Sequence, residues 1–287
     1  MNKVLWIAGY ILLAPFIGGF LDGLDRKLTA RLQGRKGPPL LQPFYDILKL
    51  FSKEAVVVNE VQNFLVWGYL IFTVFTGSLF FSGGDILLSF FALTLAEIFL
   101  VMSAFSANSP YSQMGSQREL MQMMAYEPMV LLSAIGFYVV TDSFAVGDIV
   151  SYPIPPIAYM PGIFIGFIYL LTIKFRKSPF DLSTSHHAHQ EMVKGLTTEI
   201  SGNMLGLVEL AHWYETVFLL GVVALFVLTG AWWSWIVAVA VCLLCYFLEI
   251  FFDNTFPRVK WQLMLGSTWI VTLIVGVINL MILMLVK

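Results

Sequence analysis

Long apolar runs alternate with short polar segments along the whole chain. A helix needs about 20 apolar residues to cross the hydrocarbon of a membrane, and the pattern predicts eight such helices. The predicted spans are 4–22, 64–82, 86–107, 120–141, 159–175, 202–229, 231–252 and 266–286. The sequence therefore predicts an all-α, polytopic integral membrane protein with one membrane domain over residues 1–287.

The basic residues divide unequally between the two sides of these helices. Of the 16 lysines and arginines, all but Lys3 and Lys287 fall in alternate connections. Those connections are 23–63, 108–119, 174–201 and 253–265. Cytoplasmic loops of membrane proteins carry an excess of Lys and Arg. We therefore predict a multi-pass protein of the cytoplasmic membrane with both termini on the non-cytoplasmic side.

The long first cytoplasmic loop contains a predicted amphipathic helix over 42–54. Its apolar residues recur at helical spacing and predict a helix lying in the membrane interface; they are Phe44, Ile47, Leu48 and Phe51. A basic cluster precedes it, formed by Arg26, Lys27, Arg31, Arg35 and Lys36. This cluster has two interpretations, attraction to anionic lipid or docking of a cytoplasmic partner.

Composition supports a membrane class and limits the chemistry. Hydrophobic residues make up 59% of the 287 residues and charged residues only 12%, whereas soluble domains carry roughly a quarter charged residues. Cys242 and Cys245 lie inside an apolar run, so no disulfide framework is predicted. Because no nucleotide-binding or nucleophile motif occurs, we expect neither a bound cofactor nor a nucleic-acid partner.

Six carboxylates lie inside the apolar runs or at a helix entrance: Glu97, Glu127, Glu199, Glu209, Glu215 and Glu249. An ionised side chain at the bilayer centre costs roughly 2.5–3.5 kcal/mol. Most of these acids should therefore face a protein interior or a hydrated cavity, where such groups commonly form proton pathways. In the sixth span, Glu209, His212 and Glu215 follow each other at three-residue spacing, which suits proton transfer along one helix face.

Two metal sites are weaker alternatives. Glu209 and His212 form a Glu-x-x-His motif, but di-iron bundles need two copies of it. His186, His187 and His189 could hold zinc with a fourth ligand. Because neither Cys nor a matching His is nearby in sequence, we assign these histidines to a partner-facing or solvated loop.

Five blocks of sequence resemble subunit 1 of respiratory complex I. They are DRKLTARLQGRKGPPLLQPFYDILKLFSKE at 25–54, QRELMQMMAYEP at 117–128, SPFDLS at 178–183, EMVKGLTTEISG at 191–202 and DNTFPR at 253–258. Within this superfamily, the segment SPFDLSTSHHAHQEMVKGLTTE looks like the membrane subunit of Ech-type energy-converting [NiFe] hydrogenases. His212 stands where the quinone-reducing members have a Glu.

The resemblance implies positions in a family-wide arrangement. Glu127, Glu191 and Glu199 match the acidic channel between redox module and membrane, and Glu97 is assigned there by position. Asp181, together with Arg26, Arg31 and Lys36, matches the surface under the redox subunits. This predicts a proton pathway of Glu97, Glu127, Glu191, Glu199, Glu209, His212 and Glu215. The predicted docking residues are Arg26, Lys27, Arg31, Arg35, Lys36, Asp181, His186, His187 and His189.

The implied function is coupling of a ferredoxin-linked [NiFe] hydrogenase to ion translocation. The partners would be hydrogenase large and small subunits, a ferredoxin-like iron–sulfur subunit and an antiporter-like membrane subunit, with all metal centres in those partners. The alternatives are a quinone-site subunit of a complex I-like dehydrogenase, a membrane subunit of a formate hydrogenlyase, a passive anchor and an independent transporter. Transporters usually contain inverted repeats, and the sequence contains none that we detect.

Overall fold

The computed structural model describes residues 3–54, 59–177, 179–184 and 192–287. The described helices are α1 (Lys3–Leu32), α2 (Gln42–Phe51), α3 (Glu60–Phe81), α4 (Ile86–Phe105), α5 (Pro110–Thr141), α6 (Val146–Ser151), α7 (Pro161–Lys174), α8 (Gly202–Leu225), α9 (Ser234–Thr255) and α10 (Trp261–Val286). Among the described residues, seven helices are long and apolar enough to cross a membrane. The all-α, polytopic prediction is confirmed.

The fifth predicted span forms a helix that is shorter than the seven membrane-crossing ones. It corresponds to α7, which has only 14 residues. Its N-terminus is held from the last helix, where the Asn279 side chain accepts a hydrogen bond of 3.0 Å from the Ile163 amide. The last helix itself contains a π-helical segment over Thr272–Val277. A side chain thus satisfies one of the free amides that a helix start leaves.

The basic connections meet at one end of the bundle. There Arg118 donates a hydrogen bond of 3.2 Å to Asp181, and Gln33 donates one of 2.9 Å to Asn254. These pairs join the four connections in which the sequence concentrates Lys and Arg. The alternation of loops deduced from charge is therefore present in the tertiary structure.

The remaining connections meet at the opposite end. Asp85 and Ala145 form an isolated antiparallel bridge there, and the Lys287 ammonium donates a hydrogen bond of 2.7 Å to the Val139 carbonyl. The start of α1 packs beside the end of α3. Both chain ends consequently lie at the end of the bundle that carries few basic residues.

The ends of several predicted elements need correction: α8 ends at Leu225 and not at 229, α9 spans Ser234–Thr255 and not 231–252, and α10 begins at Trp261 and not at 266. Three further corrections concern charged residues. Helix α1 continues to Leu32, so Arg26, Lys27 and Arg31 lie on this helix, whereas the sequence placed them in a loop. Helix α5 begins at Pro110, ten residues before the predicted start at 120, because polar residues extend it beyond the apolar run. Lys174 is the last residue of α7 and is buried, although it was counted with the basic loop.

The predicted interfacial helix is present as α2, but its apolar side chains divide between two surroundings. The Phe44 ring packs edge-on against Trp213 at 5.2 Å, whereas Leu48 and Phe51 point outward. Arg26 anchors the other side by donating a hydrogen bond of 2.6 Å to Asp46. Burial raises the pKa of Asp46, but hydrogen bonds from Gln42 and Arg26 outweigh this effect and hold that pKa below its ordinary value.

Close approach of α1 and α8 depends on a glycine. A Cβ at Gly18 would lie 2.6 Å from both the Cβ and the carbonyl oxygen of Trp213. We expect Gly18→Ala to lower the free energy of unfolding in detergent by about 1–3 kcal/mol, since overpacking forces helices apart. Gly9→Ala is the matched control, because a Cβ at Gly9 meets nothing within 4 Å. Equal thermal unfolding of the two variants would contradict this prediction.

Candidate functional site

A buried lysine lies at the centre of a charged cluster between α4, α5, α7 and α8. The Lys174 ammonium forms ion pairs with Glu97 and, at 3.5 Å, with Glu215. The exposed fractions of these three side chains are only 4%, 7% and 5%. Burying such charges costs several kcal/mol per ion unless they are paired. The lysine therefore supplies the counter-charge that allows two carboxylates inside the bundle.

Aromatic hydroxyls complete the pairing. Tyr126 donates a hydrogen bond to Glu97, and Tyr69 donates one of 3.4 Å to Glu215. The Lys174 ammonium also lies 4.2 Å from the centre of the Tyr126 ring, where the ring face attracts a cation. The cluster is thus a connected network of protonatable groups with hydrogen bonds between helices.

His212 connects this network to a second space. Its Nδ1 lies 3.2 Å from a carboxylate oxygen of Glu215, as the three-residue spacing predicts. Its Nε2 is buried and has no hydrogen-bond partner within the described part of the chain. A ring nitrogen on each side lets an imidazole accept a proton at one face and release it at the other.

The second space is a cavity of about 560 Å³. Residues of α1, α8 and α9 and of the segment after α7 line it. Charged and titratable side chains dominate this lining: Asp22, Asp25, Arg26, Lys174, Arg176, Lys177, Glu209, His212, Glu215, Tyr246, Asp253 and Arg258. Ligand pockets for apolar molecules are lined mostly by hydrophobic groups. A lining with so many charged side chains favours water over an apolar molecule as the occupant of the cavity.

Above the cluster, toward the basic end, lies a second group of charges. The Ser183 hydroxyl donates a hydrogen bond to Glu119, and Arg176 lies 3.8 Å from the same carboxylate. Burial lowers the pKa of Arg176, but the carboxylates of Glu119 and Glu215 outweigh it and raise that pKa above its ordinary value. These contacts place a permanent positive charge between the basic end and the buried cluster.

The other predicted pathway residues have different surroundings, and none of the described ones forms an ion pair with the buried cluster. Glu209 is half-buried and lines the cavity, but no hydrogen bond joins it to His212 among the described residues. Glu199 is half-buried in the turn before α8. Glu127 is half-buried on α5, and none of the described residues makes an ion pair with it. Glu191 lies outside the described residues.

Most of the predicted docking residues that the structure describes fall into two groups, those paired inside the protein and those exposed at its surface. Arg26 is engaged inside the protein, with Asp22 at 3.0 Å and with Asp46. Asp181 is buried, and it is paired with Arg118. Lys27 is half-buried, whereas Arg31, Arg35 and Lys36 are exposed. His186, His187 and His189 lie outside the described residues. Within the described part of the chain, no group of three or more His, Cys, Asp or Glu could hold a metal ion.

Sequence reasoning missed half of this site. Lys174 looked like a topology-setting loop charge, and Glu119 fell outside the predicted span. Tyr69 and Tyr126 looked like ordinary apolar-run residues. One signal was available, because acids buried in a membrane protein need a counter-charge. Lys174 is a basic residue inside a predicted span, near the end of the apolar run at 159–175.

Fold and site together define a polytopic membrane protein with buried ion pairs and a charge-lined cavity. A family model described as NADH dehydrogenase matches residues 5–284. The chain belongs to this family, and the resemblance to subunit 1 of complex I is thereby confirmed. Similar proteins include an NADH-quinone oxidoreductase subunit of Aquifex aeolicus, which is 26% identical over 313 residues, covering 94% of this chain and 92% of that protein.

Two further relatives extend this picture. An NADH-quinone oxidoreductase subunit of Syntrophobacter fumaroxidans is 28% identical over 328 residues, covering 96% of each chain. Among solved structures, a chain of the membrane-bound sulfane sulfur reductase, an archaeal respiratory membrane complex, has a TM-score of 0.84 at 23% identity. The match covers 97% of this chain and 100% of that chain. At this identity the likeness demonstrates the fold alone.

Proposed function

We propose that this chain is the proton-pathway subunit of a complex I-like respiratory membrane complex. The cavity would exchange protons with the basic end of the bundle. His212 would pass them to Glu215, and Lys174 and Glu97 would carry the change of charge onward between α4 and α5. The chain would bind no redox centre. Its residues would hold and relay protons while electrons move in partner subunits.

One observation carries this proposal. His212 touches Glu215 of the buried cluster, and His212, Glu215 and Lys174 all line the cavity, so the charge-lined space borders the buried ion pairs directly, with the imidazole beside them. Proton relays in membrane proteins use intramembrane acids and histidines that face a bundle interior. A passive anchor has no need of three charged groups at such a cost of desolvation.

We further propose that the redox partner is a ferredoxin-linked [NiFe] hydrogenase module. The sequence of 178–199 and the replacement of the family Glu by His212 support this assignment. The exposed basic residues Arg31, Arg35 and Lys36 would dock the module at the cytoplasmic end of the bundle. Co-purification of the intact complex with assays for nickel, iron and hydrogen evolution tests the assignment. Absence of nickel together with reduction of sulfur or quinone would overturn it.

Neutralising Glu215 tests the pathway itself. We expect Glu215→Gln in the intact complex to abolish ion transport into membrane vesicles, because the amide cannot accept a proton from His212. Electron transfer by the soluble module should persist at an uncoupled rate. The matched control is Asp142→Asn, an acid that is exposed at the opposite end of the bundle. Transport by Glu215→Gln equal to that of this control would remove the proposed role.

A quinone-site subunit is the second candidate. The cavity volume of about 560 Å³ lies within the range of small-molecule sites, and the relatives above are named NADH-quinone oxidoreductase subunits. The charged lining argues against an apolar quinone ring. Quinone-dependent oxidation by the intact complex, inhibited by quinone-site inhibitors, would favour this candidate over the hydrogenase-linked one.

A further inference from the structure

A second, much smaller cavity adjoins the buried cluster. The space in it that is open to the centre of a water molecule is about 10 Å³, close to the roughly 10–15 Å³ that one bound water requires. Carboxylates, an amide and phenol hydroxyls contribute to its lining, among them Glu97, Glu119, Gln122, Tyr126 and Glu215. The small cavity therefore combines room for one water molecule with the polar partners that such a water needs.

The Gln122 amide lines this cavity and is almost fully buried. The residue is 3% exposed, and its Nε2 has no hydrogen-bond partner among the residues that the structure describes. A buried donor without a partner costs free energy, and most buried polar groups in proteins bond to protein or to ordered water. Gln122 lines the small cavity and not the large one. Its amide therefore finds a partner in the small cavity.

Helix α5 places this amide between two groups of charge. Glu119, Gln122 and Tyr126 follow each other at spacings of three and four residues, so they share one face of the helix. On one side, Ser183 donates a hydrogen bond to Glu119. On the other, Tyr126 donates one to Glu97 of the buried cluster. Gln122 thus lies one helical turn from a member of each group.

The charges of the lining argue against an ion as the occupant. Lys174 and Arg176 line the small cavity, and their positive charges repel a small cation. The carboxylates of Glu97, Glu119 and Glu215 repel an anion in the same way. A neutral molecule that both donates and accepts hydrogen bonds suits this lining, and water fits a space of this size.

We propose that the small cavity binds one water molecule and that Gln122 positions it. A Gln122 N–H donates to the water oxygen, and the two water O–H groups donate to carboxylates of the lining. Glu119 is the acceptor toward the basic end, and Glu97 or Glu215 is the acceptor in the buried cluster. A carboxylate has lone pairs for several donors. The water joins the two groups of charge in one hydrogen-bonded network.

This water gives the proposed pathway a further member. Through it, the network continues from the buried cluster to Glu119, and from Glu119 to Ser183 toward the basic end. The pathway predicted from the sequence did not contain Glu119. The part of the water in proton movement rests on the proposed function, whereas the water site itself does not.

A cryo-EM map of the intact complex, at a resolution that shows ordered waters, tests the site. We expect density for one water within hydrogen-bond distance of the Gln122 side-chain nitrogen. Gln122→Met should lose this density, because Met has a similar length but no donor. The variant should also lower the midpoint of thermal unfolding, since it removes a donor that has a partner. A higher midpoint would show that the amide is unpaired and would overturn the site.

Gln62→Met is the matched control. The Gln62 Nε2 is also buried without a hydrogen-bond partner among the described residues, but Gln62 lines neither the small cavity nor the large one. The water density beside Gln122 should remain in this variant. A wild-type map without that density, or a water that stays in place in Gln122→Met, overturns the proposed site.

Ion transport separates this inference from the proposed function. Gln122→Met should slow transport several-fold, because one link of the network is lost, whereas Glu215→Gln should abolish it. A map without the water, together with loss of transport in Glu215→Gln, overturns the water site alone. A map with the water, together with full transport in Glu215→Gln, overturns the proposed function alone. Full transport in Gln122→Met overturns the part of the water in the pathway.

Discussion

Replacing Lys174 by Met is expected to cost about 3–5 kcal/mol of unfolding free energy. The substitution leaves Glu97 and Glu215 without their shared counter-charge in the bundle interior, and breaking a buried ion pair from one side has a cost of this size. Thermal unfolding of the purified subunit in detergent measures it.

A double variant separates charge from packing. In Glu97→Gln/Lys174→Met one of the two acids that lose the lysine is replaced by a neutral amide, so part of the stability should return, while Glu215 remains without its lysine. Met is similar in length to the methylene stem of Lys, which keeps the volume filled. A double variant less stable than Lys174→Met by the full effect of Glu97→Gln alone would show that the two side chains do not interact.

The second large effect is expected on transport. Replacing His212 by Leu removes a titratable ring that lines the cavity and contacts Glu215. General acid–base groups contribute roughly 10²–10⁴-fold to proton-transfer rates, and we expect a decrease of that order in ion transport. Ion uptake into vesicles that contain the intact complex, driven by the redox partner, measures this rate.

Two comparisons make the His212 result interpretable. His212→Leu should leave thermal unfolding nearly unchanged, since the ring is partly exposed to the cavity and Leu fills a similar volume. His212→Gln can hydrogen bond to Glu215 but cannot carry a proton, so it should resemble Leu in transport. Wild-type transport in His212→Gln would mean that the ring only positions Glu215, with protons moving through water.

Much of the architecture could be predicted from the sequence, because long apolar runs and clustered basic residues are specific signals of membrane helices and their loops. Eight apolar runs and a one-sided distribution of basic residues predict eight membrane-crossing segments with matching ends, and seven of the described helices are long and apolar enough to cross a membrane. Apolar runs fix only the hydrocarbon-spanning part of a helix. The polar extensions of α1 to Leu32 and of α5 back to Pro110 were therefore missed.

The acids of the site were predictable, and their partners were not. Glu97 and Glu215 were identified because a carboxylate in an apolar run is costly wherever it faces lipid. Three-residue spacing also predicted the contact of His212 with Glu215, since both lie on one face of one helix. Glu209 lies on the same helix and also lines the cavity, but no hydrogen bond joins it to His212 among the described residues, and helical spacing alone cannot distinguish these two cases.

The sequence by itself determined the class of protein and the presence of buried acids. Both follow from local composition and from the energetics of transferring side chains into lipid. Only the tertiary structure decided that Lys174 turns inward to two acids that lie 77 and 41 residues away along the chain. It also decided which residues line the cavity. Pairing across such separations depends on how helices pack, and no short-range pattern encodes that packing.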